Sequence, residues 1–313
     1  MNPTPSVILL TTASGVGYGM LVWLGLLNAF RLLPPSPVFG VASIFVALVL
    51  SAVGMLASLF HLGRPERAWR AVSQWRTSWL SREGVLALLT IPPAVGFAAA
   101  WWSLGRGTGV TVALGLLAAA AGLATVACQA MIYATLRPVR QWCNGLVLPN
   151  FLLLSLYSGA VWLAAAVALY DPAAARLPAA IGGALAIGAA VVKLAYWRWI
   201  DTAAPVATIE DATGLGWLGP VRSLEPPHLE ENFLLREMGF VIARAHASRL
   251  RRIATLAGFV IPLMLLIAAA LVGGVVDAAA LCIAAVLVVS GIYVERWLFF
   301  AEATHTVTLY YGR

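Results

Sequence analysis

VFGVASIFVALVLSAVGMLASLFHLGRPERAW, Val38 to Trp69, divides into two parts of opposite character. From 38 to 62 there is no Asp, Glu, Lys or Arg. A helix crosses the hydrocarbon core of a bilayer with about 20 such residues. Then His61, Arg64, Glu66, Arg67 and Trp69 arrive in quick succession. Pro65 cannot continue a helix, and charge followed by tryptophan is what a chain presents on leaving lipid for the headgroup layer. The stretch therefore predicts a membrane span ending at a chemically crowded boundary.

Seven further runs have the same length and character: roughly 7–30, 82–104, 109–136, 147–170, 178–200, 253–276 and 278–300. The chain is 61% hydrophobic and 11% charged, against about 25% charged in soluble domains. Backbone groups in lipid must be satisfied within their own segment, so these runs are helices. The predicted fold is an all-α integral membrane protein, an eight-transmembrane-helix bundle forming a single membrane domain over 1–313. One long polar loop, 201–252, separates helices 6 and 7. Abundant glycine and alanine (AAAAGLA, IGGALAIGAA) let such helices approach closely. Met1 to Ser6 lacks the positive region of a cleavable signal. Cys128, Cys143 and Cys282 form no CxxC pair, which argues against a disulfide framework or a metal cage.

Eight spans place both termini on one side, here side A, with loops 2–3, 4–5 and 6–7. Of 20 basic residues, only Arg31, Arg106 and Arg176 fall on side B. By the positive-inside rule side A is cytoplasmic. The net charge of +7 is thus read as topology, with no nucleic-acid partner. The expected location is a bacterial cytoplasmic (inner) membrane, with both termini and the docking loops in the cytoplasm.

The string RPERAW (Arg64–Trp69) returns as RPVRQW (Arg137–Trp142), both R-P-x-R-x-W, after spans 2 and 4. The second copy lacks the histidine, because Ala134 stands where His61 would be. In the long loop, HLEENFLLREMGFVIARAHASRLRR reads as an amphipathic helix with acids early and bases late, matching the helix dipole. It would lie on a membrane or a partner. Candidate docking residues are Arg70 and Arg76 in loop 2–3 and Glu231, Arg236, Glu237 and Arg244 on this helix. GLGWLG (Gly214–Gly219) matches G-x-G-x-x-G, but no strand precedes it and Pro220 follows, so it is rejected as a nucleotide site.

His61 admits three readings: haem ligand, quinone or proton ligand, or interfacial residue without a role. A bis-histidine haem needs two facing histidines within the spans. Of His61, His228, His246 and His305, only His61 borders a predicted span, so no haem is expected. Charges within spans are costly and usually mark a site or an ion pair. Glu83 opens span 3, Lys193 lies in span 6, and Glu295 and Arg296 sit together near the end of span 8. Lys193 can alternatively snorkel to side A. His61, Arg64, Arg67, Glu83, Tyr133, Arg137 and Lys193 all fall near the side A boundary. Quinone chemistry suits such a level. An apolar slot admits ring and tail, donors meet the two carbonyl oxygens, and a histidine moves protons near neutral pH. A secondary transporter would instead gather polar residues near the midplane, where this chain is Leu, Ala and Val.

FHLGRP…SWLSRE (Phe60–Glu83), ENFLLREMGF (Glu231–Phe240) and ERWLFFAEATH (Glu295–His305) resemble the dimethyl sulfoxide reductase-type membrane-anchor family. The resemblance runs over essentially the whole chain. It implies a quinone-reactive anchor in a three-subunit molybdenum oxidoreductase, inactive alone. The implied partners are a ferredoxin-like subunit with iron–sulfur clusters and a catalytic subunit with molybdopterin guanine dinucleotide. Ubiquinone or menaquinone would be bound near His61, Arg67 and Glu83. The family's reductase keeps its catalytic subunits on the outer face. The basic side A here is closer to the related sulfite-oxidising enzyme, with electrons passing from sulfite to quinone.

Overall fold

A computed structural model describes residues 3–205, 207–222, 224–225, 242–272 and 275–311. It contains eight helices long and apolar enough to cross a membrane. The first six are α1 (Pro5–Ala29), α2 (Pro37–Ala57), α3 (Trp79–Leu104), α4 (Gly109–Ala134), α5 (Val147–Tyr170) and α6 (Arg176–Thr202). A short α7 (Ile209–Thr213) lies in the long loop. The seventh span is α8 (Ile242–Thr255) and α9 (Ile261–Val272), joined by a π turn at Leu256–Val260; α10 (Val275–Ala301) is the eighth. The expected spans are therefore present, most within a few residues of their predicted bounds; the seventh, expected from 253, begins with a helix already formed at Ile242. Among the described residues there is no strand beyond one isolated bridge, Val139 with His305.

α1 to α4 pack as one group, and α5, α6, α8–α9 and α10 as a second. α1 joins them by packing on both α5 and α10. Its run TTASGVGYG carries little side-chain bulk, which makes a central position possible. At Gly19 an added Cβ would collide with the Ser155 carbonyl, so only glycine permits this approach to α5. Polar atoms tie the same seam: Ser155 Oγ donates to the Gly15 carbonyl at 2.6 Å, and Trp23 Nε1 to the Leu156 carbonyl at 2.9 Å. The π turn has a local consequence too. Tyr157 donates its hydroxyl to the Gly258 carbonyl at 2.8 Å, in a segment whose backbone ladder is already displaced.

The two ends differ. On side B, Arg31 donates to the Gly107 carbonyl and Gly107 N–H to Asn28 Oδ1, clasping two short loops. Side A carries the longer connections. The loop after α4 is covered by the C-terminal segment: Thr306 N–H donates to the Pro138 carbonyl, and Trp142 Nε1 to the Phe299 carbonyl. The two R-P-x-R-x-W copies consequently have different fates. Trp142 is 4% exposed, whereas Trp69, in the 3-10 segment Pro65–Val72, is 67% exposed.

GLGWLG closes α7 and is no phosphate loop. Gly214 takes the left-handed conformation (φ 67°) that ends a helix, and Gly216–Leu218 is one 3-10 turn. The Glu210 carboxylate accepts from Val221 N–H at 3.0 Å, which holds its pKa below the ordinary value and folds the loop back.

Candidate functional site

An apolar groove of about 260 Å³ opens between α2 and α3 over α1. It runs from Leu48 to Leu56 on α2 and from Gly84 to Ile91 on α3, with Tyr18 of α1 among its lining residues. Eight residues of helix measure roughly 12 Å, the length of a substituted ring with the start of a tail. The hollow exists because Gly84 and Ala87 give α3 almost no side chain there. Ala52, Leu56, Leu88 and Ile91 on its lip are exposed, which in a bilayer means open to lipid.

Glu83 precedes Gly84 but faces inward from the first turns of α3, where Ser78 caps the helix. It is 2% exposed. Gln129 Nε2 of α4 donates to Glu83 Oε1 at 2.8 Å and also approaches Ser14 Oγ at 3.3 Å. Among the described residues no cation stands within ion-pair distance of Glu83. A carboxyl held by a neutral amide can bind or give up a proton without dismantling an ion pair. Behind Gln129 lies an internal cavity of about 10 Å³, lined by Thr12, Gln129, Ser155, Ser158 and Arg296 among others. Gln129 Oε1 and Thr12 Oγ1 are buried there without a protein partner.

On the far side of that cavity is a second polar cluster. Arg296 binds Glu295 through Nε at 2.5 Å and Nη2 at 2.9 Å, and Lys193 pairs with the same carboxylate. All three are buried, Lys193 at 1% exposure. Aromatic faces enclose them. Arg296 Cζ lies 4.2 Å from the Phe151 ring centre, and Lys193 Nζ lies 4.1 Å from that of Tyr196. At the side A end, Glu302 accepts from Arg251 at 2.8 Å, and Arg251 also grips the half-exposed Asp201. Burial pushes the Glu302 carboxyl above its ordinary pKa, with the Arg251 hydrogen bond pulling the other way.

The seven residues expected at one level thus separate. Glu83 is the neighbour in sequence of the groove-lining Gly84, with its carboxylate turned inward onto Gln129. Lys193 belongs to the cluster with Glu295 and Arg296. Tyr133 is half-buried, its ring 5.2–5.8 Å from those of Trp142, Phe151, Phe299 and Phe300. Arg64, Arg67 and Arg137 are exposed and do not line the groove; Arg67 lies 3.9 Å from Glu66. The backbone of His61 ends the 3-10 turn Ser58–His61, which packs on α1 and α2; its side chain lies outside those described. Arg70 and Arg76 are exposed on loop 2–3. Glu231, Arg236 and Glu237 lie outside the described residues, as does the side chain of Arg244.

Sequence reasoning missed Tyr18, Ser14 and Gln129. Gln129 was open to discovery, since an amide inside an apolar span is itself a signal. Tyr18 carried none beyond its place in a small-residue run. Among the described residues, no group of three or more His, Cys, Asp or Glu could hold a metal ion.

The family model "DMSO reductase anchor subunit (DmsC)" matches residues 1–213. A sulfite dehydrogenase subunit from Allochromatium vinosum is 34% identical over 325 aligned positions, covering 99% of each chain.

Proposed function

Because the chain belongs to the DMSO reductase anchor subunit family, we propose that it is the quinone-reactive membrane anchor of a three-subunit molybdenum oxidoreductase. The observation that carries this reading is the pairing of a lipid-open apolar groove with a buried carboxyl at its side A end. Quinone is the substrate here. Its ring would enter between α2 and α3, with its tail left in lipid. Tyr18 would meet a ring oxygen, and Glu83 would hold or give up the proton that accompanies each electron. His61, on the turn that follows α2, is the further proton-handling candidate. Iron–sulfur clusters and molybdopterin guanine dinucleotide belong to the partner subunits.

Those partners would dock on side A. Loop 2–3 presents Trp69 and Trp75 to solvent together with Arg64, Arg67, Arg70 and Arg76. The equivalent tryptophan of the second copy is sealed inside the chain, so the first copy is the one left for a partner. The charge asymmetry supports a cytoplasmic side A in the inner membrane. Together with the name of the relative, it favours sulfite as electron donor and quinone as acceptor.

The test is turnover by the purified complex. Sulfite is expected to reduce a short-tailed quinone, and removal of this subunit to abolish that while sparing reduction of a soluble dye. Filling the groove with Ala87→Trp is expected to raise the quinone KM about tenfold, the cost of losing one well-placed binding contact. Quinol-driven reduction of an S-oxide, without sulfite oxidation, would reverse the direction proposed. A reporter active only outside the cytoplasm, fused after Arg313, is expected to be silent; an active fusion would overturn the cytoplasmic placement of side A.

A further inference from the structure

We infer that a buried polar chain connects the groove to the side A surface and is the route by which the protons of the quinone step enter and leave. The inference rests on the groove reading above. Its links are side chains that the apolar interior would otherwise exclude. Glu83 is hydrogen-bonded to Gln129. Gln129 lines the internal cavity with Thr12, Ser158 and, across it, Arg296. Arg296 is joined to Glu295, and Glu295 to Lys193. Lys193 Nζ and Arg251 Cζ both lie by the Trp197 ring, 5.0 and 5.5 Å from its centre, and Arg251 ties Glu302 to Asp201 at the surface.

The cavity is the decisive link. At about 10 Å³ it has room for one water. A buried water settles where two to four polar partners meet it. Here Gln129 Oε1 and Thr12 Oγ1 face no protein partner, and Ser158 and Arg296 also line the cavity. Every residue lining the cavity is buried, so a water there is part of the interior. Arg296 stays charged throughout. A proton therefore passes beside it, on water and carboxylates, and the guanidinium serves as a fixed donor that positions them.

The balance is simple. A quinone that accepts two electrons from the partner's iron–sulfur relay forms two O–H bonds and takes up two protons. If those arrive by this chain, they come from the face that the soluble subunits occupy. The step then moves no charge across the membrane.

Thr12→Val with Ser158→Ala removes two hydroxyls from the cavity with little change of volume and touches neither the groove nor Glu83. In the membrane-bound complex the double variant is expected to lower quinone turnover about tenfold, the low end of what a positioned proton-transfer path contributes. The quinone KM should hold, the solvent deuterium isotope effect should rise, and added membrane-permeant weak acid should restore turnover. Dye activity in washed membranes checks that the complex has assembled. If turnover and isotope effect match wild type while Glu83→Gln still slows the reaction, the route is overturned and the groove stands. If Glu83→Gln is also without effect, the groove reading fails and takes the route with it.

Discussion

Replacing Glu83 by glutamine is expected to lower quinone turnover about 100-fold in the purified complex, within the range of a positioned general acid or base. Reaction of the catalytic subunit with a soluble dye is expected to be unchanged. The substitution is informative because the amide keeps the shape and an oxygen that can accept from Gln129, which now donates at 2.8 Å. What is lost is the capacity to carry a proton. Glu83→Asp retains that capacity on a shorter arm and is expected to recover part of the rate. A Glu83→Asp variant no better than Glu83→Gln would point to packing, and equal turnover in all three proteins would remove Glu83 from the reaction. His61→Ala, the other proton-handling candidate, is expected to show the same split between quinone and dye.

The spans, most of their ends and the costly charges within them were legible because lipid imposes a length and a polarity rule on each segment separately. Glu83 and Lys193 were found in that way. Their separation into two clusters was not legible. In a soluble helix, one polar face tells which side looks inward. These spans are apolar nearly all round, so the sequence does not say that Glu83 turns toward Gln129 and Ser14 or that Gly84 faces the groove. The repeated R-P-x-R-x-W string makes the same point. Its local chemistry is alike in both copies, yet Trp142 is buried because the C-terminal segment lies over it, with Thr306 bound to Pro138. That covering segment is more than 160 positions away in sequence, beyond the reach of any local pattern. Tyr18 was missed for the same reason: it matters only because α2 and α3 part beside it.

The buried cluster around Glu295 carries the largest expected effect on stability. It contains two cations and one carboxylate, so among the described residues Glu295 is the carboxylate paired with both. Glu295→Gln would leave Lys193 and Arg296 facing each other inside the bundle. Breaking a buried pair in this manner costs about 3–5 kcal/mol. Lys193→Met is expected to be far milder. Arg296 keeps its two-pronged hold on Glu295, the pair becomes electrically balanced, and methionine fills much of the space. The surplus positive charge of the native cluster rests on aromatic faces, Tyr196 and Trp197 for Lys193 and Phe151 and Phe299 for Arg296, which attract cations but cannot replace a carboxylate. The double variant Lys193→Met with Glu295→Gln should therefore be less damaged than Glu295→Gln alone, since one of the two stranded cations is gone. Thermal unfolding of the purified complex and its yield in membranes would measure this order. If Lys193→Met proves as damaging as Glu295→Gln, the lysine does more than balance charge, and the cluster must be held together from the α6 side.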